Sequence, residues 1–137
     1  MKIEVVSGQP HAPVGDFFKK LLAENCLSES DVLEKKYIKF PEYRIIHPTI
    51  LQQEIREVVA QHIKDNKDLF VLTYNDHVFN AVRLEIKKHK FQNGKLYNVL
   101  TDGTCVCSLI DEDGHLSNWV DGVFDTWDNA LTELLTD

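Results

Sequence analysis

Long apolar stretches are missing from this chain of 137 residues, and no run approaches the roughly 20 residues that a membrane-crossing helix needs. Cysteine is scarce as well. Three residues, an odd number, do not make a disulfide framework. Cys105 and Cys107 lie two apart, so a strand turns them to the same face, while Cys26 is remote. Two such ligands without a second Cys or His pair nearby make a weak zinc site, and the expectation is core packing. The six histidines (His11, His47, His62, His77, His89 and His115) show neither HxxxH nor HxH spacing, so no metal and no cofactor are expected. Positive charge is outnumbered, 15 Lys and Arg against 22 Asp and Glu for a net −7. That balance disfavours a grip on a phosphate backbone as the main activity. Pro- or Gly-rich linkers, repeats and low-complexity tracts do not occur either, which leaves residues 1–137 as one domain. The opening Met1–Val6 reads as a charged strand rather than a secretion signal, and a cytoplasmic location is expected.

What is present is an alternation of strand-like and helix-like segments. Residues 2–6 read as a strand and residues 7–13 as a loop. From Gly15 to Asn25, Phe17, Phe18, Leu21 and Leu22 fall at helical spacing. Ser28 or Ser30 is placed to cap a short helical piece through Lys35, and Tyr37–Phe40 looks like a strand stopped by Pro41. Thr49 and Gln52 suggest a capping box opening a helix whose inward stripe is Ile50, Leu51, Ile55, Val58, Val59 and Ile63. The continuous apolar run Leu69–Thr73 suits a strand buried on both faces, as in a parallel sheet. Asn75 or Asp76 then caps a helix with Val78, Phe79, Val82 and Ile86 on one side. Alternation from Lys95 to Leu100, the turn pair Asp102-Gly103 and the segment Cys105–Ile110 read as a hairpin. Residues 124–136 close the chain as a helix with Phe124, Trp127, Leu131, Leu134 and Leu135 inward. Together these elements predict an α/β fold, a small mostly parallel sheet flanked by helices with an antiparallel hairpin annex.

Several polar residues are candidates for chemistry or recognition, and each has a plainer reading beside it. Asp76 and His77 could pair as orienter and base, yet an aspartate at a helix start beside a half-buried histidine is the commoner arrangement. Lys87 and Lys88 could touch a phosphate backbone, or could simply complement a helix C-terminus. Trp119 suits either an interface anchor or a packed side chain. Glu42, Arg44 and His47 sit in a loop after a strand, where recognition residues concentrate. Late acidic residues against a basic middle give a dipolar layout that suits a protein partner.

The last third carries the most specific signal. The segment Gly114-His115-Leu116-Ser117-Asn118-Trp119-Val120-Asp121-Gly122-Val123-Phe124-Asp125 resembles the ending G-x-[IL]-S-N-W-P-x-G-F-F-D of a group of bacterial predicted ATPases. Those proteins are related to the ABC, RecF and overcoming-lysogenization-defect ATPases. Two further landmarks occur in order. Pro41-Glu42 and His47-Pro48 resemble that family's P-E-x-H-L-H-P loop, with one extra residue between them. Leu72-Thr73-Tyr74-Asn75-Asp76-His77-Val78-Phe79-Asn80-Ala81-Val82-Arg83 takes the place of its E-T-H-S-D-H strand end and h-x-N-x-[IV]-R helix. The likeness spans about residues 37–135.

The resemblance implies a fold like the C-terminal lobe of an ABC-type ATPase head, and the departures from it imply lost catalysis. These 137 residues hold no G-x-x-x-x-G-K-[ST] loop to cradle a triphosphate. Lys39 and Phe40 stand where the family places its acidic pair, and Tyr74 stands where it places a switch histidine. A lysine repels Mg²⁺ and a phenyl ring cannot polarise water, so phosphoryl transfer is not expected. The expectation is a non-enzymatic protein-binding module, a degenerate ATPase fragment that docks on an ATPase or its complex as regulator, subunit or phage-made inhibitor. Its candidate interaction residues are Glu42, Arg44, His47, Tyr74, Asp76, His77, Lys87, Lys88 and Trp119. The alternatives are a nucleotide-binding protein completed by a partner, and a DNA-associated accessory factor using Lys87–Lys95. Membrane binding is not expected.

Overall fold

A computed structural model describes residues 1–25, 37–39, 47–120 and 134–135. In chain order the elements are β1 (Ile3–Gly8), α1 (Val14–Glu24), β2 (Tyr37–Lys39), α2 (Pro48–Asp65), β3 (Leu69–Leu72), α3 (Asp76–His89), β4 (Gly94–Val99) and β5 (Cys105–Ile110). The five strands form one sheet in the order β2-β3-β1-β4-β5. Strand β1 pairs in parallel with β3 on one side and β4 on the other, β2 adds to β3 in parallel, and only β5 runs antiparallel. The α/β class with a mostly parallel sheet is therefore what the chain adopts. The hairpin joins the sheet through β4, which matches β1 residue for residue from Gly94 to Val99.

Strand patterning explains why two helical layers are needed. All six residues of β1 and all four of β3 are buried, so neither strand has a wet face. On one side Ile3, Val5, Leu69, Val71, Leu96 and Ile110 pack with Leu51, Ile55 and Val59 of α2 and with Val78, Phe79, Val82 and Ile86 of α3. On the other, Val6, Phe70, Leu72 and Val99 pack with Val14, Phe18, Leu21 and Leu22 of α1. Each fully buried Leu, Val, Ile or Phe contributes about 1.5–3 kcal/mol relative to exposure. Among the described residues no helix is long and apolar enough to cross a membrane.

Local chemistry moves several element boundaries. β1 runs on to Gly8 because Ser7 and Gly8 pair with Asn98 and Val99. The helix expected to open at Thr49 opens at Pro48, whose fixed φ and missing N–H suit a first helical position. His47 is its N-cap, with Nδ1 accepting from the Thr49 N–H at 3.2 Å, so the Thr49 capping box gives way to a histidine cap. Ile50 is 54% exposed, off the stripe expected for it, and His62 joins Leu51, Ile55 and Val59 inside. Asn75 caps α3, accepting from the His77 N–H at 2.8 Å, and Asp76 falls in the first turn.

Two expectations about burial are corrected. Cys105 and Cys107 are free and exposed, not core residues. They share a face of β5, as their spacing requires, but β5 is the sheet's edge and the opposite face, with Ser108 and Ile110, is the buried one. Leu134 and Leu135, expected inward, are helical and 80% and 83% exposed. The expected pieces around Ser28, Ser30 and Lys35, and Cys26, Phe124, Trp127 and Leu131, lie outside the described residues.

Glu4 is the one acidic side chain that β1 buries, 3% exposed on the α1 side of the sheet. Tyr97 donates to its Oε1 at 3.4 Å, and Lys2 Nζ stands 3.9 Å from the same oxygen. Burial first, then the Glu4 charge, pushes the Tyr97 phenol up to about 12. A phenol whose folded value exceeds its unfolded value near 10 stabilises the fold below pH 10 and loses that contribution as pH rises through 10 to about 12. Ultraviolet titration of Glu4→Gln is expected to show Tyr97 ionising earlier than in the parent, though still late, because the larger cause remains.

Gly8 tests the strand-end packing. A Cβ there would lie 2.6 Å from the Val99 carbonyl oxygen and 2.6 Å from Val14 Cγ2. Gly8→Ala is expected to cost about 1–3 kcal/mol in urea denaturation, since backbone must move to admit the methyl.

Candidate functional site at the strand ends

Parallel strands place all their C-terminal ends on one side, and ligand sites of such sheets gather there, where successive helices leave for opposite faces. Here that point lies between β1, followed by α1 on one face, and β3, followed by α3 on the other. The Thr73 N–H donates to the Val6 carbonyl at 3.1 Å and holds the two ends together. Thr73 Oγ1 accepts from the Asn75 N–H at 2.9 Å, and Asn75 Oδ1 caps α3, so the turn after β3 is fixed by its own side chains. β2 ends beside β3 with Lys39 opposite Leu72, so Lys39 and Tyr74 belong to neighbouring strand ends.

The resulting surface combines the starts of α2 and α3. It presents His47 and Ile50 from α2, and Tyr74, Asp76 and His77 from the turn into α3. Tyr74 is 43% exposed and Ile50 54%. Asp76 in the first turn complements the α3 dipole. Among the described residues no hydrogen bond joins the Asp76 and His77 side chains, so an orienter-base pair is not assembled.

The remaining sequence candidates fall elsewhere. Lys87 and Lys88 lie in the last turn of α3, at the opposite end of the sheet, where cations complement the helix C-terminus. Lys88 also borders a cleft of about 280 Å³ between α2 and α3, shared with Gln53, Arg56, Glu57, Ala60 and Glu85. The wall of this cleft is an ion pair in which Arg56 Nε donates to the buried Glu85 carboxylate at 2.6 Å, with His89 Nε2 3.1 Å from its other oxygen. Glu42 and Arg44 lie outside the described residues.

Trp119 belongs to a third arrangement, built around Arg83, the arginine of the segment that resembles the h-x-N-x-[IV]-R helix but not one of the candidate interaction residues. The Arg83 guanidinium lies 5.5 Å from the Phe79 ring and 5.8 Å from the Trp119 ring. Its Nε donates to the Gly114 carbonyl at 2.7 Å and Nη1 to Asn80 Oδ1 at 3.3 Å. Burial lowers the guanidinium's ordinary value and Asp111 works against that shift. Gly114 has φ +79°, and a Cβ there would meet the Arg83 carbonyl oxygen at 2.8 Å, so only glycine lets the turn after β5 sit on α3. Asn80 and Arg83 from one motif thus meet Gly114 and Trp119 from another. The signal was available as the Asn-x-x-Arg spacing ahead of Ser-Asn-Trp.

Residues 101–134, about a quarter of the chain, match a family described as protein of unknown function (DUF3696). The match covers β5, the Gly114 turn and Trp119. No curated protein and no solved structure matches the chain.

Arg83→Lys keeps the charge but gives up the planar stack and the fixed donor geometry. In a Trp127→Phe background, it is expected to cost about 1–2 kcal/mol of stability, and Trp119 emission should shift toward that of solvated indole. Unchanged emission would mean that the guanidinium does not hold the ring.

Proposed function

We propose that this chain is a non-enzymatic docking module derived from an ATPase-like scaffold, acting on an ATPase or its complex through the strand-end surface. The observation that carries the reading is the placement of Lys39 and Tyr74 at the ends of neighbouring parallel strands. These are the two positions at which the resembled ATPases keep an acidic residue and a switch histidine. A cation and a phenol in that spot do not hold Mg²⁺ or activate water. The family match over residues 101–134 supports the same reading, because it falls on the ending that carries the third landmark. ATPase heads of the resembled kind work in pairs. A strand-end surface bearing Ile50 and Tyr74 in place of catalytic charge fits occupation of such an interface by contact alone.

Titration of Mg²⁺-ATP into the purified protein is expected to give no binding heat. Affinity capture from the source cells should recover an ATPase-containing complex. Ile50→Asp with Tyr74→Ala should lower recovery about tenfold, equivalent to about 1.4 kcal/mol, without altering the circular dichroism spectrum. Saturable nucleotide binding by the chain alone, or capture that both substitutions leave intact, would contradict the reading.

A further inference from the structure

Strand β5 has an outer edge with unusual chemistry. The Leu109 N–H donates to Ser117 Oγ and the Ser117 N–H to the Leu109 carbonyl, both at 2.9 Å. Leu109 therefore turns its backbone groups away from β4. By alternation along the strand, so do Cys107 and Cys105. Residues 115–117 cover the Leu109–Asp111 end of this edge. Beside Cys105 and Cys107, no backbone partner occurs among the described residues. Edges of natural sheets are ordinarily blunted by Lys, Pro or a bulge. The open stretch here reads Thr104-Cys105-Val106-Cys107-Ser108 and carries none of these. Both thiols are exposed and free on one face.

Such an edge is self-complementary. A second copy paired antiparallel about Val106 places each Cys105 opposite the other chain's Cys107, with all four thiols on the same face. Opposed residues of a hydrogen-bonded pair stand about 5.5 Å apart at Cα. Residues two apart on one strand stand about 6.6 Å apart. Zinc bonds sulfur at about 2.3 Å in a tetrahedron, with every pair of sulfurs about 3.8 Å apart, so the site requires the side chains to lean inward and the twist of the paired strands to lift one diagonal pair of thiols above the other. One chain supplies two thiolates and stops. The two-fold axis supplies the other two.

We propose that β5 is a dimerisation edge and that the paired Cys105 and Cys107 of two copies form a tetrathiolate site for zinc or a similar soft divalent ion. Thiolate selects such ions over Mg²⁺ and Ca²⁺. The site lies at the opposite edge of the sheet from β2, so it stands apart from the docking reading and is tested apart from it.

The test is mass by light scattering on the full chain, kept reduced, with added zinc and then with EDTA. A doubled mass at one zinc per two chains, reversed by the chelator, is the expected result. Cobalt in place of zinc should give the visible ligand-field bands of a tetrahedral thiolate site. C105S/C107S should abolish both while keeping the circular dichroism of the parent, and the chelator arm needs no variant at all. A monomer with and without zinc, one zinc per chain with no change of mass, or a dimer that persists in EDTA would each overturn the proposal.

Discussion

Simultaneous burial of β1 on both faces and along both edges is the constraint on which the other elements depend. The strand takes β3 on one side from Ile3 to Val6 and β4 on the other from Ile3 to Gly8, each in parallel register, and all six of its residues are buried. A strand in that position must be covered above and below. The helices α2 and α3 cover one face and α1 the other. Once β1 and β3 are fixed, their ends and the helix starts beyond them are fixed too. The candidate docking surface is thus a by-product of core packing, stiff where Thr73 ties to Val6 and Asn75 caps α3.

The strongly periodic pieces were legible before any coordinates. The run from Leu69 needed no structure to be read as a strand buried on both sides, and α3 showed its inward residues and its Asn75 cap. What escaped were features set by neighbours distant in sequence. Ile50 and Leu51 are equally apolar, and Leu51 turns inward because it shares a stripe with Ile55 and Val59, the face that α2 packs against the sheet. Cys105 and Cys107 were correctly placed on a common face. Which face the sheet covers is decided by the layering of α1, α2 and α3, and that is not a local property. At the candidate site the same division holds. The Asn75-Asp76-His77 turn was readable, whereas the adjacency of Lys39 and Tyr74 follows from strand order.

Charge is used sparingly inside this acidic chain. Glu85 is buried but takes both Arg56 and His89, which offsets the cost of removing a carboxylate from water. Glu4 is less fully answered, because one of its oxygens has no partner among the described residues. Its surroundings respond: the Tyr97 phenol, close by, is pushed up to about 12. At the surface Lys90 donates to Asp113 at 2.5 Å, an exposed pair whose worth is small. It does, however, join the end of α3 to the turn after β5.

Beyond its ion pair with α2, helix α3 is tied at three places along its length, and their order is informative. Its start is built into the strand-end surface through Asn75. Its middle holds the Gly114 turn and Trp119 through Arg83, and its end reaches Asp113 through Lys90. Two of the three fall on the segment that matches a known family, residues 101–134. Asn80, Arg83, Gly114 and Trp119 look, as sequence, like marks of a functional site, but they are the clamp that fixes this segment to the core. The strand-end turn and this clamp are independent of each other, because they are carried by different turns of one helix.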